Sequence, residues 1–405
     1  MEELGTPLLF LPQLTTEKPK APHVPIYATA QDVLKTKKRV LIVVNDHMQD
    51  LGVWSYRLLS GEGDGGFARG SCAGLATAIK HRSRSAPSEA PGLLVLNPGQ
   101  LLYSHKEKRA MSMTSWHDKP RQSMAHKSDR VHPAHNSAEG NRTIQEHVAF
   151  VFDKIVKDAE WVAPSAEIYV IGIGEGGNVA LRYISNQEPS YWPRIAAMAL
   201  TSPHNTREEY FRDFVCVLGA RARAWIVSTA PFGTVLDASY YEPPAPPAPD
   251  PDAFHQPGPP RPRVVPFCPV FSSEEPHFAE YVLPAVLTVV LEWFEHVAVD
   301  ARNYANPHFD VVGWEDDVCE AQIPGNLDLE GEVKAEEDKI ENFVFADGDG
   351  DGDGDGGGTV TTGGVSGKEN SLNSDGNAQS SEKRVIAGIE VDKSWLEEAG
   401  LLDNE

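Results

Sequence analysis

Six residues carry the strongest hint of chemistry in this chain: Gly172-Ile173-Gly174-Glu175-Gly176-Gly177, set between an apolar run and a helical one. Their shape is that of a nucleophile elbow, G-x-S-x-G, where small residues flank a side chain held in a strained, closely packed turn. Gly172 and Gly176 fill the flanks, but the central position is Gly174, which has no side chain to attack a carbonyl. Glu175 follows it and could act only in a shifted register. An elbow enzyme also needs an acid and then a histidine later in the chain. Asp237 and His277 stand in that order, as members of a degenerate triad or as surface residues. Asn45 and Asp46 end the first strong apolar run, where a hydrolase places its oxyanion-hole amides; the plain alternative is a turn Asn and a helix-capping Asp. If another nucleophile had taken over, Ser202, near the end of a later strand, is the candidate.

The same residues match G-x-G-x-x-G through Gly172, Gly174 and Gly177, the phosphate-cradling turn of dinucleotide-binding domains. That reading needs a carboxylate at the end of the next strand. The strand ends Ala199-Leu200-Thr201, without one, and no cofactor is expected. Two further readings of the turn stay open. One is a pocket for a small anionic ligand or nucleotide at a helix N-terminus, built from Asn45, Asp46, Gly172, Gly174, Glu175, Gly176 and Gly177. The other is a tight turn that binds nothing.

Elements that could position these residues alternate along the chain. Residues 39–45 (RVLIVVN), 93–97, 167–172 (EIYVIG), 195–200 and 224–228 are short apolar runs of the kind buried on both faces of a parallel sheet, with a last short strand near Val270. Helices are expected at 50–59, 72–80, from Thr143, and over 178–184, 208–218 and 284–297. Thr143 and Glu146 form a capping box, and Val148, Phe152 and Ile155 recur at helical spacing. The pattern predicts an α/β domain with a mostly parallel sheet and helices on both faces. Residues 1–22 read as an extended lead-in, 98–142 as a long polar loop, and 243–266 as a proline-rich insertion.

Charge sets the tail apart from this domain. Residues 300–405 carry 27 Asp/Glu against 7 Lys/Arg, so −20 of the formal −23 lies there. Such a tail is solvated, disfavours nonspecific nucleic-acid binding, and predicts disorder over 301–384, with apolar residues returning in a short docking element at 385–405. Its DG repeat lacks the Glu an EF-hand requires at position 12. Cys72, Cys216, Cys268 and Cys319 form no C-x-x-C pair, which excludes a zinc ribbon and a disulfide framework and favours the nucleus or cytoplasm. The loop histidines His105, His117, His126, His132 and His135 lie among basic residues, without a helical metal-binding pair, and no metal is expected. The most apolar stretch, residues 281–294, is too short to span a membrane and reads as a core helix.

Longer phrases point to a family. VPIYATAQDVL (24–34), RVLIVVNDHMQDLGVWSYR (39–57), GSCAGL (70–75), LLVLNPGQLLYSHKEKRAMSMTSWHD (93–118), RVHPAHNSAEGNRTIQEHV (130–148) and IYVIGIGEGGNVAL (168–181) resemble the fungal Argonaute-binding-protein-two domain, over about residues 20–300. The resemblance implies an α/β-hydrolase-like fold over 23–300. It also implies a place in nuclear RNA-silencing or heterochromatin assemblies, because relatives include a subunit of an Argonaute chaperone complex and the C-terminal domain of fungal class II histone deacetylases. Animal relatives, nuclear cotranscriptional regulators, tend to keep a serine at the elbow; this chain departs from them at Gly174. The implied role is a noncatalytic adaptor with Argonaute, chromatin or deacetylase components as protein partners, small RNA only indirectly, and no membrane. A residual esterase or amidase and a small-ligand module are the alternatives.

Overall fold

The computed structural model describes residues 5–59, 66–82, 90–120, 123, 129–205, 207–236, 266–309, 383–386 and 389–392. Asp237, His126, Cys319, the proline-rich insertion up to residue 265 and the acidic stretch 310–382 lie outside the described residues. Contacts divide the chain into residues 1–325 with 383–405, and 326–382; all described residues belong to the first unit.

Among the described residues of that unit, ten strands and nine α-helices build the domain that holds the site. The strands are β1 (Leu8–Leu11), β2 (Val24–Ala28), β3 (Arg39–Val44), β4 (Gly92–Leu96), β5 (Leu102–Ser104), β6 (Arg109–Met111), β7 (Glu167–Ile173), β8 (Ile195–Thr201), β9 (Ala222–Ile226) and β10 (Val270–Ser272). The helices are α1 (Gln31–Leu34), α2 (Tyr56–Leu59), α3 (Gly66–Arg69), α4 (Cys72–Arg82), α5 (Met113–His117), α6 (Ile144–Val151), α7 (Gly174–Ser185), α8 (Arg212–Arg221) and α9 (Ala279–Val299). Near the C-terminus, Lys383–Ile386 and Ile389–Asp392 pair as an antiparallel hairpin, whose second strand lies beside α9.

Eight strands form one mixed sheet in the order β1-β2-β4-β3-β7-β8-β9-β10. Only β2 runs against the others, antiparallel to both β1 and β4. Alternation along the central strands supplies both faces. Val40, Ile42 and Val44 of β3, with Ile168 and Val170 of β7, join the core beneath α6, α7 and α8. Leu41, Val43, Tyr169 and Ile171 point the other way, into the core beneath α4 and α9. This two-sided burial is why these strands read as unbroken apolar runs. By length and composition α9 could cross a membrane, but its Val282, Val286, Val289, Val290, Trp293 and Val297 stripe is buried against the sheet.

Several elements differ from the sequence expectation. Residues 8–11 are an edge strand rather than lead-in, paired by register to β2. The 98–142 segment contains the β5–β6 hairpin and α5; strands of three residues are too short to show a period. Helix 50–59 contracts to α2, its first half spent on turns at the end of β3. Pro284 sits inside α9 rather than in its first turn. Half of the expected capping box forms, Glu146 N donating to Thr143 Oγ1 at 3.1 Å, while the Glu146 carboxylate reaches one residue past the cap and accepts from Arg142 N at 2.9 Å.

Candidate functional site

Strand order reverses between β3 and β7: β3 leads to β4 on one side, while β7, β8 and β9 build out on the other. Crevices at the carboxyl ends of strands beside such a switch point are where open α/β sheets bind ligands. Here β3 ends in Asn45-Asp46, β7 in the Gly174 turn and β8 in Thr201-Ser202. A cleft of about 310 Å3 lies over these ends, lined among others by Asp46, Trp54, Gly174, Thr201, Ser202 and His277. A cavity of about 80 Å3 near Arg39 and Arg82 lies apart from the site, with Arg39 held to Glu295 at 2.8 Å and Arg82 to Glu292 at 2.7 Å.

The glycines of the turn serve different ends. A Cβ on Gly172 would meet the Gly177 backbone, one on Gly177 the Gly172 backbone, and one on Gly176 the Asn45 carbonyl, all closer than side chains tolerate. These three let α7 sit tightly on β7 and on the end of β3. Gly174 has φ +49°, a left-handed conformation that glycine adopts without steric cost. The space its side chain would fill is taken by the Asp46 carboxylate.

Asp46 also engages the elbow's backbone. Glu175 N donates to Asp46 Oδ2 at 3.1 Å, and Met48 N donates to Asp46 Oδ1 at 2.8 Å. In an elbow enzyme the amide after the nucleophile is an oxyanion-hole donor. In this chain that amide is bound to an internal carboxylate, which also satisfies the positive end of α7. Asn45 holds Asp46 in place: buried, it donates to the carbonyls of Asp50 at 3.1 Å and Val53 at 3.0 Å and accepts from Asp46 N at 2.9 Å. Its side chain is thereby tied into the loop after β3.

The remaining candidates are distributed as follows. His277 lines the cleft with Gly174 and is otherwise exposed. Glu175 turns away from the cleft, accepting from Asn178 Nδ2 at 3.0 Å and approaching Arg182 at 3.7 Å. Ser202 has φ +48° and its buried hydroxyl makes no hydrogen bond among the described residues. His105 and His135 stack at 4.1 Å elsewhere on the surface, and no metal-binding group of three or more His, Cys, Asp or Glu occurs among the described residues. Trp54 and Thr201, both 1% exposed, line the cleft, and each carries a buried polar atom without a hydrogen-bond partner among the described residues. Sequence reasoning missed Trp54 as a site residue, since a tryptophan in an irregular loop carries no periodic signal.

This geometry defines an α/β domain with a strand–turn–helix elbow whose nucleophile space is filled by a neighbouring carboxylate. The Arb2 domain matches residues 2–232 of the chain, and the chain belongs to that family. No curated protein and no solved structure matches it.

Proposed function

We propose that the chain is a noncatalytic adaptor built on an α/β-hydrolase-like domain, acting in a nuclear RNA-silencing or heterochromatin assembly with Argonaute or histone-deacetylase components as partners. The observation that carries the noncatalytic part is the Asp46 carboxylate. It occupies the room a nucleophile at position 174 would need and engages the amide of Glu175, a position that donates to the oxyanion in elbow enzymes. The same contact weighs against an anionic ligand at the α7 N-terminus, because that terminus already has its anion. Family membership supports the partner class. Purification of the tagged full chain from nuclear extract tests it: enrichment of Argonaute- or deacetylase-complex components is expected, and recovery of none of them overturns the adaptor reading.

One observation favours a second reading. Ser202 lines the cleft with a left-handed backbone and could be a displaced nucleophile. An activated serine, however, holds a hydrogen bond to its base, and Ser202 Oγ has none among the described residues.

A further inference from the structure

Among the described residues eight large hydrophobic side chains are exposed, and three of them sit on the two segments that wall the cleft over Gly174. Met48 and Tyr56 follow β3; Phe278 follows β10 and lines the cleft itself. Exposed apolar side chains beside a cleft and rimmed by charge mark a contact surface. The rim here has one dominant sign. Residues 46–57 carry Asp46, Asp50 and Arg57, and residues 274–280 carry Glu274, Glu275 and Glu280, five carboxylates against one guanidinium, a net of −4. The third wall, residues 201–204, adds no carboxylate and no Lys or Arg.

These carboxylates are reachable from water. Asp46 and Glu280 keep 23% and 24% of their side chains accessible, and Glu274 is exposed. Backbone amides fix two of them: Asp46 accepts from Met48 N and Glu175 N, and Glu275 from His277 N and Phe278 N. Such bonds orient a carboxylate without cancelling its charge, and the low-dielectric walls of a cleft focus the field that results. Arg57, itself exposed, shows how this face holds positive charge. Its guanidinium carbon lies 4.3 Å from the centre of the Phe278 ring, and one of its nitrogens 3.2 Å from Glu280 Oε1. Ring and carboxylate together make a seat for a cation. Like charge disfavours a second copy of the chain as occupant, since a two-fold contact through this face would set its carboxylates against one another.

We infer that this face docks a basic, partly apolar segment of a partner protein. A lysine or arginine side chain of that segment enters the cleft toward Asp46 and Glu280, and its apolar neighbours cover Met48, Tyr56 and Phe278. The cleft of about 310 Å3 has room for one such side chain. Charge complementarity selects the occupant and the exposed apolar side chains supply contact area. The inference rests on the adaptor reading and adds to it the surface used and the chemistry of the segment bound.

Three labelled, capped peptides of equal length test this on the full chain, with binding read by fluorescence anisotropy. One alternates lysine with leucine and phenylalanine, one has glutamate in place of lysine, and one keeps the lysines but has serine in place of the apolar residues. Saturable binding of the first is expected, with the serine version roughly tenfold weaker and the glutamate version unbound. Phe278→Ala is expected to weaken the first peptide roughly tenfold, and Glu274→Lys to weaken it severalfold. Arg57→Gln, which removes the internal cation from the seat, is expected to tighten it. Glu188→Lys, an equal change of charge beyond the far end of α7, should leave it unchanged. All four side chains are exposed, and thermal melts confirm folding. A peptide held only by the acidic residues 300–405 would bind every variant alike. Equal affinity for the serine version, binding of the glutamate version, or unchanged affinity in folded Phe278→Ala or Glu274→Lys would overturn the proposal. Recovery of Argonaute- or deacetylase-complex components by a wild-type chain that binds no basic peptide would overturn this surface and leave the adaptor reading standing.

Discussion

Gly174 meets two demands at once: a left-handed φ of +49° and room for the Asp46 carboxylate. A serine placed there meets neither. Gly174→Ser is therefore expected to lower stability by about 1–3 kcal/mol and to yield no esterase activity, read by thermal denaturation and by hydrolysis of a chromogenic ester. Turnover by the single variant would mean that Asp46 does not block the elbow. Asp46 should also be worth a helix cap. Asp46→Ala removes the acceptor of Glu175 N and the negative charge at the start of α7, at a cost of about 1 kcal/mol, measurable as a fall in Tm. An unchanged Tm would show that water replaces the carboxylate without loss. Position 174 was legible from spacing as the point where an elbow would carry its nucleophile. That Asp46 fills it was not, because the approach of the β3 loop to α7 is a tertiary contact between residues 128 positions apart.

Between elements, His147 of α6 joins Asn97, just past β4, to Asn141, which lies in the segment that sequence reasoning left as loop. It is fully buried, donates from Nδ1 to Asn141 Oδ1 at 2.7 Å and accepts at Nε2 from Asn97 N at 3.0 Å. That arrangement fixes the neutral ring with its proton on Nδ1. Burial holds its pKa at about 3, well below the ordinary 6.5. The unfolded chain takes up this proton below pH 6.5 while the folded chain resists until about pH 3. The stability contribution is thus complete above pH 6.5 and is lost on acidification across that window, by up to about 1.4 kcal/mol per pH unit. His147→Gln should flatten this part of the stability–pH curve in denaturant titrations, and a curve identical to that of the wild type would contradict the assignment. At the other end of the sheet, Arg223 of β9 lies 1% exposed over the Trp293 ring at 4.7 Å and bonds Asn306 at 2.9 Å and Tyr304 at 3.0 Å. These contacts carry the core past residue 300 to Phe309, which packs on Phe271. Arg223→Ala is expected to cost about 3 kcal/mol or more in chemical denaturation. The central strands were readable because both faces are buried and every residue must be apolar. The edge strand β1, the β5–β6 hairpin and the His147 and Arg223 networks were not, because short strands show no period and buried polar bonds depend on partners far along the chain.

The whole molecule joins a folded α/β unit of the Arb2 family to a C-terminal quarter, residues 300–405, that holds −20 of the net charge of −23. That charge distribution disfavours direct contact with nucleic acid, and it accords with a role exercised through proteins. The full chain is expected to leave small RNA duplexes unshifted in gel-mobility assays at physiological salt; a tight, salt-sensitive shift would move RNA from an indirect to a direct partner. The adaptor proposal rests on an elbow without a working nucleophile. That premise is tested most directly by incubating the full-length native protein with a fluorophosphonate probe and mapping adducts by mass spectrometry. No serine labelled above the heat-denatured control is expected, Ser202 included. A stoichiometric adduct on Ser202, lost in Ser202→Ala, would show a working nucleophile in the cleft and contradict it.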